Sequence, residues 1–175
     1  MENKKIYITP KTKIYDLLEE FPVLEETLIE YAPQFKKLKN PVLRKTITRI
    51  TNIGQAAVIA GLNVEDLVNA LRSKVGQDKV EGFENVESNI KTAKPEWFSN
   101  EHIVNRIDIR EMLRQGDQPV HEVLSQLKKL NEEDILEITA PFIPVPLIDK
   151  ALSLNYDHWL VEIGKEEFLV YFRRV

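Results

Sequence analysis

Near the end of the chain the spacing of apolar residues changes from helical to alternating, and that change constrains the fold more than any other feature. Trp159, Val161 and Ile163 alternate with other residues before Gly164, and Phe168, Val170 and Phe172 alternate after it. Period two on both sides of a glycine is the pattern of a β-hairpin with one apolar face. Upstream, Arg106 to Arg110 reads as a short strand, and Val120, Val123, Leu124, Leu127 and Leu130 form a helical stripe behind Pro119, which suits a first turn. Glu132-Glu133-Asp134 leads into a second strand, Ile135-Leu136-Glu137-Ile138-Thr139, and Leu147, Ile148, Ala151 and Leu152 mark a second helix. A strand-helix-strand connection of this length is parallel and right-handed. Two helices on one face of a four-stranded mixed sheet, in the order βαβαββ, make a two-layer α/β sandwich over residues 106–175.

The opposite end of the chain keeps the helical period. Ile14, Leu17, Leu18 and Phe21 follow the spacing of a buried helix face, with Thr12 placed as a cap. Pro22 stops that helix, and Leu24, Leu28 and Tyr31 continue the apolar face until Pro33. Pro41 opens a third helix through Val42, Leu43 and Ile47, and a short stretch rich in small residues runs from Ile53 to Ala60, with Gly61 at a left-handed C-cap. The last helix has Asn63 as N-cap, Glu65 and Asp66 in its first turn, and the stripe Val64, Leu67, Val68, Leu71 and Val75 before Gly76. The fold class is therefore α+β: a small all-α bundle over 1–76, a connecting segment over 77–105, and the α/β sandwich over 106–175. In the connecting segment Val80, Phe83, Val86 and Ile90 form a weak helical stripe, while Trp97-Phe98 after Pro95 is apolar enough to pack over one domain and fix the interdomain angle. The sharper role for Trp97 is stacking on a ligand.

Composition narrows the function. With 43% apolar and 30% charged residues the chain is globular. No apolar run approaches the roughly 18 residues of a membrane span, and the opening Met1-Glu2-Asn3-Lys4-Lys5 leads into a strand-like stretch rather than a signal-peptide core. The expectation is a soluble, cytoplasmic protein without membrane attachment. A formal charge of −4, with cations scattered among acids, argues against nucleic acid as the main ligand. The chain contains no cysteine, which excludes disulfides, thiolate metal ligands and thiolate nucleophiles within it. Three dispersed histidines, His102, His121 and His158, lack metal-ligand spacing. Neither a metal nor another cofactor is expected.

Two stretches resemble known families. Ile8-Thr9-Pro10 with Ile14-Tyr15-Asp16-Leu17-Leu18, the phrase Lys39-Asn40-Pro41-Val42-Leu43-Arg44, and Ala56-Ala57 to Asn63-Val64-Glu65-Asp66-Leu67 resemble domain-of-unknown-function family 1858, a small helical domain found near iron-sulfur-repair, hybrid-cluster and hemerythrin-like proteins. Many of its members carry cysteines near the position of Pro33-Gln34-Phe35, so a cluster or thiol role does not transfer here. In the C-terminal part, Asp108-x-Arg110, Gly116-x-x-Pro119 and the run Ala140-Pro141-Phe142-Ile143-Pro144-Val145-Pro146-Leu147 resemble domain-of-unknown-function family 2249, a cysteine-free branch of the TusA/SirA-like sulfur-carrier fold. In the carriers a Cys-Pro pair opens the first helix; here that stretch is Gly116-Asp117-Gln118-Pro119, so sulfur transfer is excluded.

The candidate site follows from the parallel strands. The loop ending at Pro119 and the rigid Pro141 to Pro146 turn both follow parallel strands and so lie on one rim, where open α/β sheets bind ligands and helix N-termini favour anions. The candidate ligand-binding residues are Asp108, Arg110, Asp117, Gln118, His121, Pro141, Phe142 and Pro144. Ordinary roles compete: Asp108 and Arg110 pair with neighbouring charges, and Asp117 or Gln118 caps the helix. The favoured reading is a non-catalytic binding or adaptor protein. Its helical domain engages a protein partner, its rim holds a small anionic ligand or a peptide, self-association is compatible, and the resemblances imply a context of redox, nitrogen-oxide or iron-sulfur metabolism. The alternative is a small enzyme using His121 with Asp108 or Asp117 as acid/base and Arg110 as an anion clamp.

Overall fold

The computed structural model describes residues 6–83 and 89–175, and the chain divides into two units, residues 1–88 and 89–175. Among the described residues the first unit holds α1 (Ile14–Glu20), α2 (Leu24–Tyr31), a 3-10 turn (Pro33–Lys39), α3 (Pro41–Ile50), α4 (Ile53–Ala60) and α5 (Val64–Lys74). The helical stripes meet in one core in which Ile14, Leu17, Leu18, Leu24, Leu28, Leu67, Val68 and Leu71 are buried together. Tyr31, expected to extend the α2 face, is instead 45% exposed. Asn40 and Asn63 cap α3 and α5 through their side-chain oxygens, and Asn52 forms a capping box with Gln55 at α4. Gly61 takes φ +66° after α4, the left-handed C-cap that a glycine adopts without strain. Thr12 does not cap α1. Lys13 occupies that position, and the Thr12 hydroxyl accepts from the Thr9 N–H at 3.0 Å.

A buried cation closes this unit. Arg72 of α5 donates to the carbonyl of Ile8 at 2.8 Å and to that of Asp78 at 2.6 Å. Gln77 grips the same opening stretch, accepting from the Ile8 N–H and donating to the Ile6 carbonyl, and Asn69 bonds both backbone groups of Val80. Residues 77–83 are thus tied to the helical unit in irregular form. The expected stripe does not become a helix at Val80 or Phe83, and Val86 lies outside the described residues.

The second unit contains β1 (Ile103–Asp108), α6 (Ile109–Gln115), α7 (Pro119–Leu127), β2 (Ile135–Ala140), α8 (Val145–Ser153), β3 (Tyr156–Gly164) and β4 (Glu167–Arg174). The sheet order is β1-β2-β4-β3, with β1 parallel to β2 and the other pairs antiparallel. Helices pack on the sheet, α6 on β2, α7 on β4 and α8 on β3. With the helical unit this is an α+β arrangement.

Two local features depart from the sequence reading. The strand expected at Arg106 to Arg110 runs from Ile103 and stops at Asp108, because the Asp108 carboxylate accepts from the Arg110 N–H and caps a helix that begins at Ile109. Arg110 is therefore helical. The crossover contains two helices, joined where Gly116 takes φ +85°. The second departure concerns the hairpin, whose two stripes do not share a face. The register sets His158 opposite Phe172, Leu160 opposite Val170 and Trp159 opposite Tyr171, and directly paired residues point to the same side. Tyr156, His158 and Leu160 are buried with Val170 and Phe172, and the Tyr156 hydroxyl donates to the Leu127 carbonyl of α7 at 2.9 Å. Trp159 and Val161 are half-buried on the opposite side, and Ile163 is 50% exposed.

Replacing Arg72 by Met strands two backbone acceptors, each costing about 1–3 kcal/mol, so the helical unit should lose on the order of 3 kcal/mol. Both tryptophans, Trp97 and Trp159, belong to the second unit. Urea titration of the R72M variant should shift the far-ultraviolet dichroism transition to lower urea while leaving the tryptophan transition in place. An unshifted dichroism curve would contradict the role given to Arg72.

Candidate functional site

The rim is built where β1 and β2 end. Asp108 stands beside Thr139 in the parallel register, and Ala140 pairs with Phe168 next to Glu167 at the start of β4. Arg110, carried into this corner by the first turn of α6, reaches both neighbours. Its Nε and Nη2 donate to the Asp108 carboxylate at 2.9 and 2.7 Å, and its Nη1 lies 3.2 Å from Oε1 of Glu167. Hydrogen bonds from the Arg110 side chain hold the Asp108 carboxyl below the usual carboxylate range, against the opposing effect of partial burial. The Asp108 carboxylate likewise raises the guanidinium. The expected anion clamp is thus bracketed by two acids of the protein itself. Glu167 escaped the sequence reading because a lone acid after a turn carries no signal of its own.

The remaining polar members are separate from this triad. Seven residues of α6 stand between Asp108 and the Gly116-Asp117-Gln118 junction, a rise of about 10 Å along the helix. Gln118 occupies the N-cap position of α7 but its side chain makes no cap bond. His121 is exposed in the first turn of α7, and among the described residues it forms no hydrogen bond to Asp108 or Asp117. The helix beginning directly at the end of β1 is α6, not the Pro119 helix, and its N-terminus is capped by Asp108. The turn after β2 places its prolines at the entry of α8. Pro144 is buried at the N-cap position of α8, with Pro141 and Phe142 half-buried ahead of it. There the Val145 N–H donates to the Ile143 carbonyl, the Leu147 N–H donates to the Pro144 carbonyl, and Pro146 has none to give. The α6 and α8 ends therefore keep their leading amides for their own turns.

A second polar cluster, which sequence reasoning missed, lies at the outer edge of β3. The Asp157 carboxylate receives Lys91 Nζ at 2.6 Å, the indole N–H of Trp97 at 3.2 Å and the backbone N–H of His158 at 2.8 Å. Burial pushes this carboxyl up, but those donors outweigh it and hold it below the usual range. The Leu160 N–H donates to the Lys91 carbonyl at 2.8 Å, and the Trp159 indole donates to the Thr92 carbonyl. Phe98 sits edge-on to both Trp159 and Tyr171, 4.6 Å from each ring centre, and the Arg173 guanidinium lies 5.4 Å from the Trp97 ring centre. The Trp97-Phe98 pair packs on the open face of the sheet. The available signal was the polar Asp157-His158 pair interrupting an apolar strand.

The helical unit carries a concavity of its own, an open groove of about 660 Å³ lined by Tyr31, Asp66, Asn69, Ser73, Lys74 and Lys79. Its walls come from α2, α5 and the segment tied down by Asn69. Residues 8–68 match a family model described as "Domain of unknown function (DUF1858)". The DUF1858 match begins at Ile8, whose carbonyl Arg72 holds, and ends within α5. No curated protein and no solved structure matches the chain. No helix among the described residues is long and apolar enough to cross a membrane.

Substituting Arg110 by Gln should return the Asp108 titration upward toward the ordinary carboxylate value, readable from side-chain carbon shifts in an NMR pH series. The carboxylate's depressed value contributes stability above the unfolded-state pKa, which is lost as pH falls through the folded value. Because the pair is half-exposed and screened by solvent, R110Q should change stability at neutral pH only slightly. An unchanged Asp108 titration would show that another group holds its charge.

Proposed function

We propose that the chain is a non-catalytic binding protein whose helical unit engages a protein partner. The observation that carries this reading is the state of Arg110, which is bracketed by Asp108 and Glu167 rather than left to clamp a substrate. An exposed His121 without a hydrogen bond to Asp108 or Asp117 also favours binding over acid/base catalysis. The groove beside Tyr31 gives the helical unit a concave surface with one aromatic ring, a residue type enriched at protein contacts.

For the second unit we propose kinship with the cysteine-free branch of the TusA-like fold, family 2249. Support comes from Asp108-x-Arg110, from the Ala140 to Leu147 run, and from a mixed sheet with its helices packed on it. Since the rim cation is already paired, a peptide suits this rim better than a small anion. The resemblance of the first unit favours a setting in redox, nitrogen-oxide or iron-sulfur metabolism, reached through a partner and not through a thiolate of this chain.

Native mass spectrometry of the full chain purified from its source tests the reading when wild type is compared with two variants. A protein adduct that survives in R110Q and disappears in a groove variant carrying Tyr31→Asp and Lys74→Glu is the expected result. A small molecule bound to wild type and lost on His121→Ala would overturn it in favour of an enzyme acting at the rim.

A further inference from the structure

His158 is the one fully buried histidine, with no exposed surface, and it lies on β3, an edge strand of the sheet. Its Nε2 accepts the backbone N–H of Lys91 at 3.0 Å. The ring is therefore neutral with its proton on Nδ1, and Nδ1 is buried without a hydrogen-bond partner among the described residues. Adding a second proton would set N–H against N–H at Lys91 and leave a charged ring in an apolar place, against Phe172. The same residue, Lys91, also gives its carbonyl to the Leu160 N–H and its ammonium to Asp157. Three of the contacts that hold the segment to the sheet edge thus converge on one residue, and one of them requires neutral His158.

We propose that residues 89–98 form a pH-responsive strap, closed on β3 and on the Trp159-Tyr171 face while His158 is neutral, and released when His158 takes up a proton. Release removes Lys91 from the outer edge of β3, which gives the imidazolium the water it lacks in the closed form, and it withdraws Phe98 from its edge-on contacts with the stacked Trp159 and Tyr171 rings. The charged groups facing the ring are Asp157 on β3, Lys91 on the strap and Asp149 on α8; the two carboxylates favour the imidazolium, the ammonium opposes it, and burial opposes it most. The sign follows from those directions. A histidine held below its ordinary value of 6.5 stabilises the closed form fully above that pH, and the stabilisation is lost as pH falls below it.

The test is direct because the chain has two tryptophans, Trp97 within the strap and bonded to Asp157 and Trp159 on β3 beneath it. Tryptophan emission of the full chain, scanned from neutral to mildly acidic pH, should shift reversibly to the red with a midpoint below 6.5 while far-ultraviolet dichroism stays unchanged. In wild type the Leu160 and Lys91 amides should lose exchange protection over the same range, with the β2–β4 ladder still protected. In His158→Gln, which keeps a neutral acceptor, the red shift should vanish. An emission shift that appears only with global unfolding, a shift that persists in a folded H158Q, or Leu160 protection that outlasts the emission change would each overturn the proposal.

Discussion

The pairing of β3 with β4 is the contact on which the rest of the second unit depends. By setting His158 against Phe172 and Trp159 against Tyr171, it decides which side chains the helices cover and which are left for another part of the chain. A shift of one residue would exchange the two sets. The face with Tyr156, Leu160, Val170 and Phe172 receives the helices, and Tyr156 is fixed to the end of α7 through its hydroxyl. The opposite face keeps two aromatic rings that would lie against water without cover. Residues 91–98 provide it, anchored by the Asp157 carboxylate and the Lys91 backbone. The edge of β3 is closed by the same residues, which also guards against unwanted strand pairing.

The first unit is held by a different device. Its core is a set of helical stripes, but its ends meet through Arg72, whose planar fork joins the Ile8 carbonyl to that of Asp78. The DUF1858 match ends before Arg72, within α5. The segment after the helices, residues 77–83, is therefore part of the helical unit's own closure and shapes one wall of the groove beside Tyr31.

Helices with a side-chain cap and an apolar stripe were legible from sequence: Asn63 with Leu67 and Leu71, Pro41 after Asn40, and the glycine stop at Gly61 behave as local chemistry dictates. The cap at Asp108 was not, because an aspartate two residues from an arginine looks the same on a strand as at a helix start, and the choice falls to the sheet that ends there. The hairpin faces were misread for a physical reason. Trp159, Val161 and Ile163 are more apolar than Asp157, His158 and Glu162, yet the sheet has two covered faces, so hydrophobicity alone could not select the helix side. Of the candidate site, the involvement of Asp108 and Arg110 in charge pairing and the placing of the turn prolines ahead of α8 were readable. Glu167 came from a distant part of the chain, and the separation of His121 from the triad followed from an unforeseen helix.

Because the account turns on the β3–β4 register, NMR cross-peaks between aromatic side chains test it most directly. The expected pattern links the His158 ring to Phe172, and Trp159 to Tyr171 and Phe98. Cross-peaks from Trp159 to Phe172 or to α8, with His158 near Phe98, would show the opposite partition of faces and contradict it.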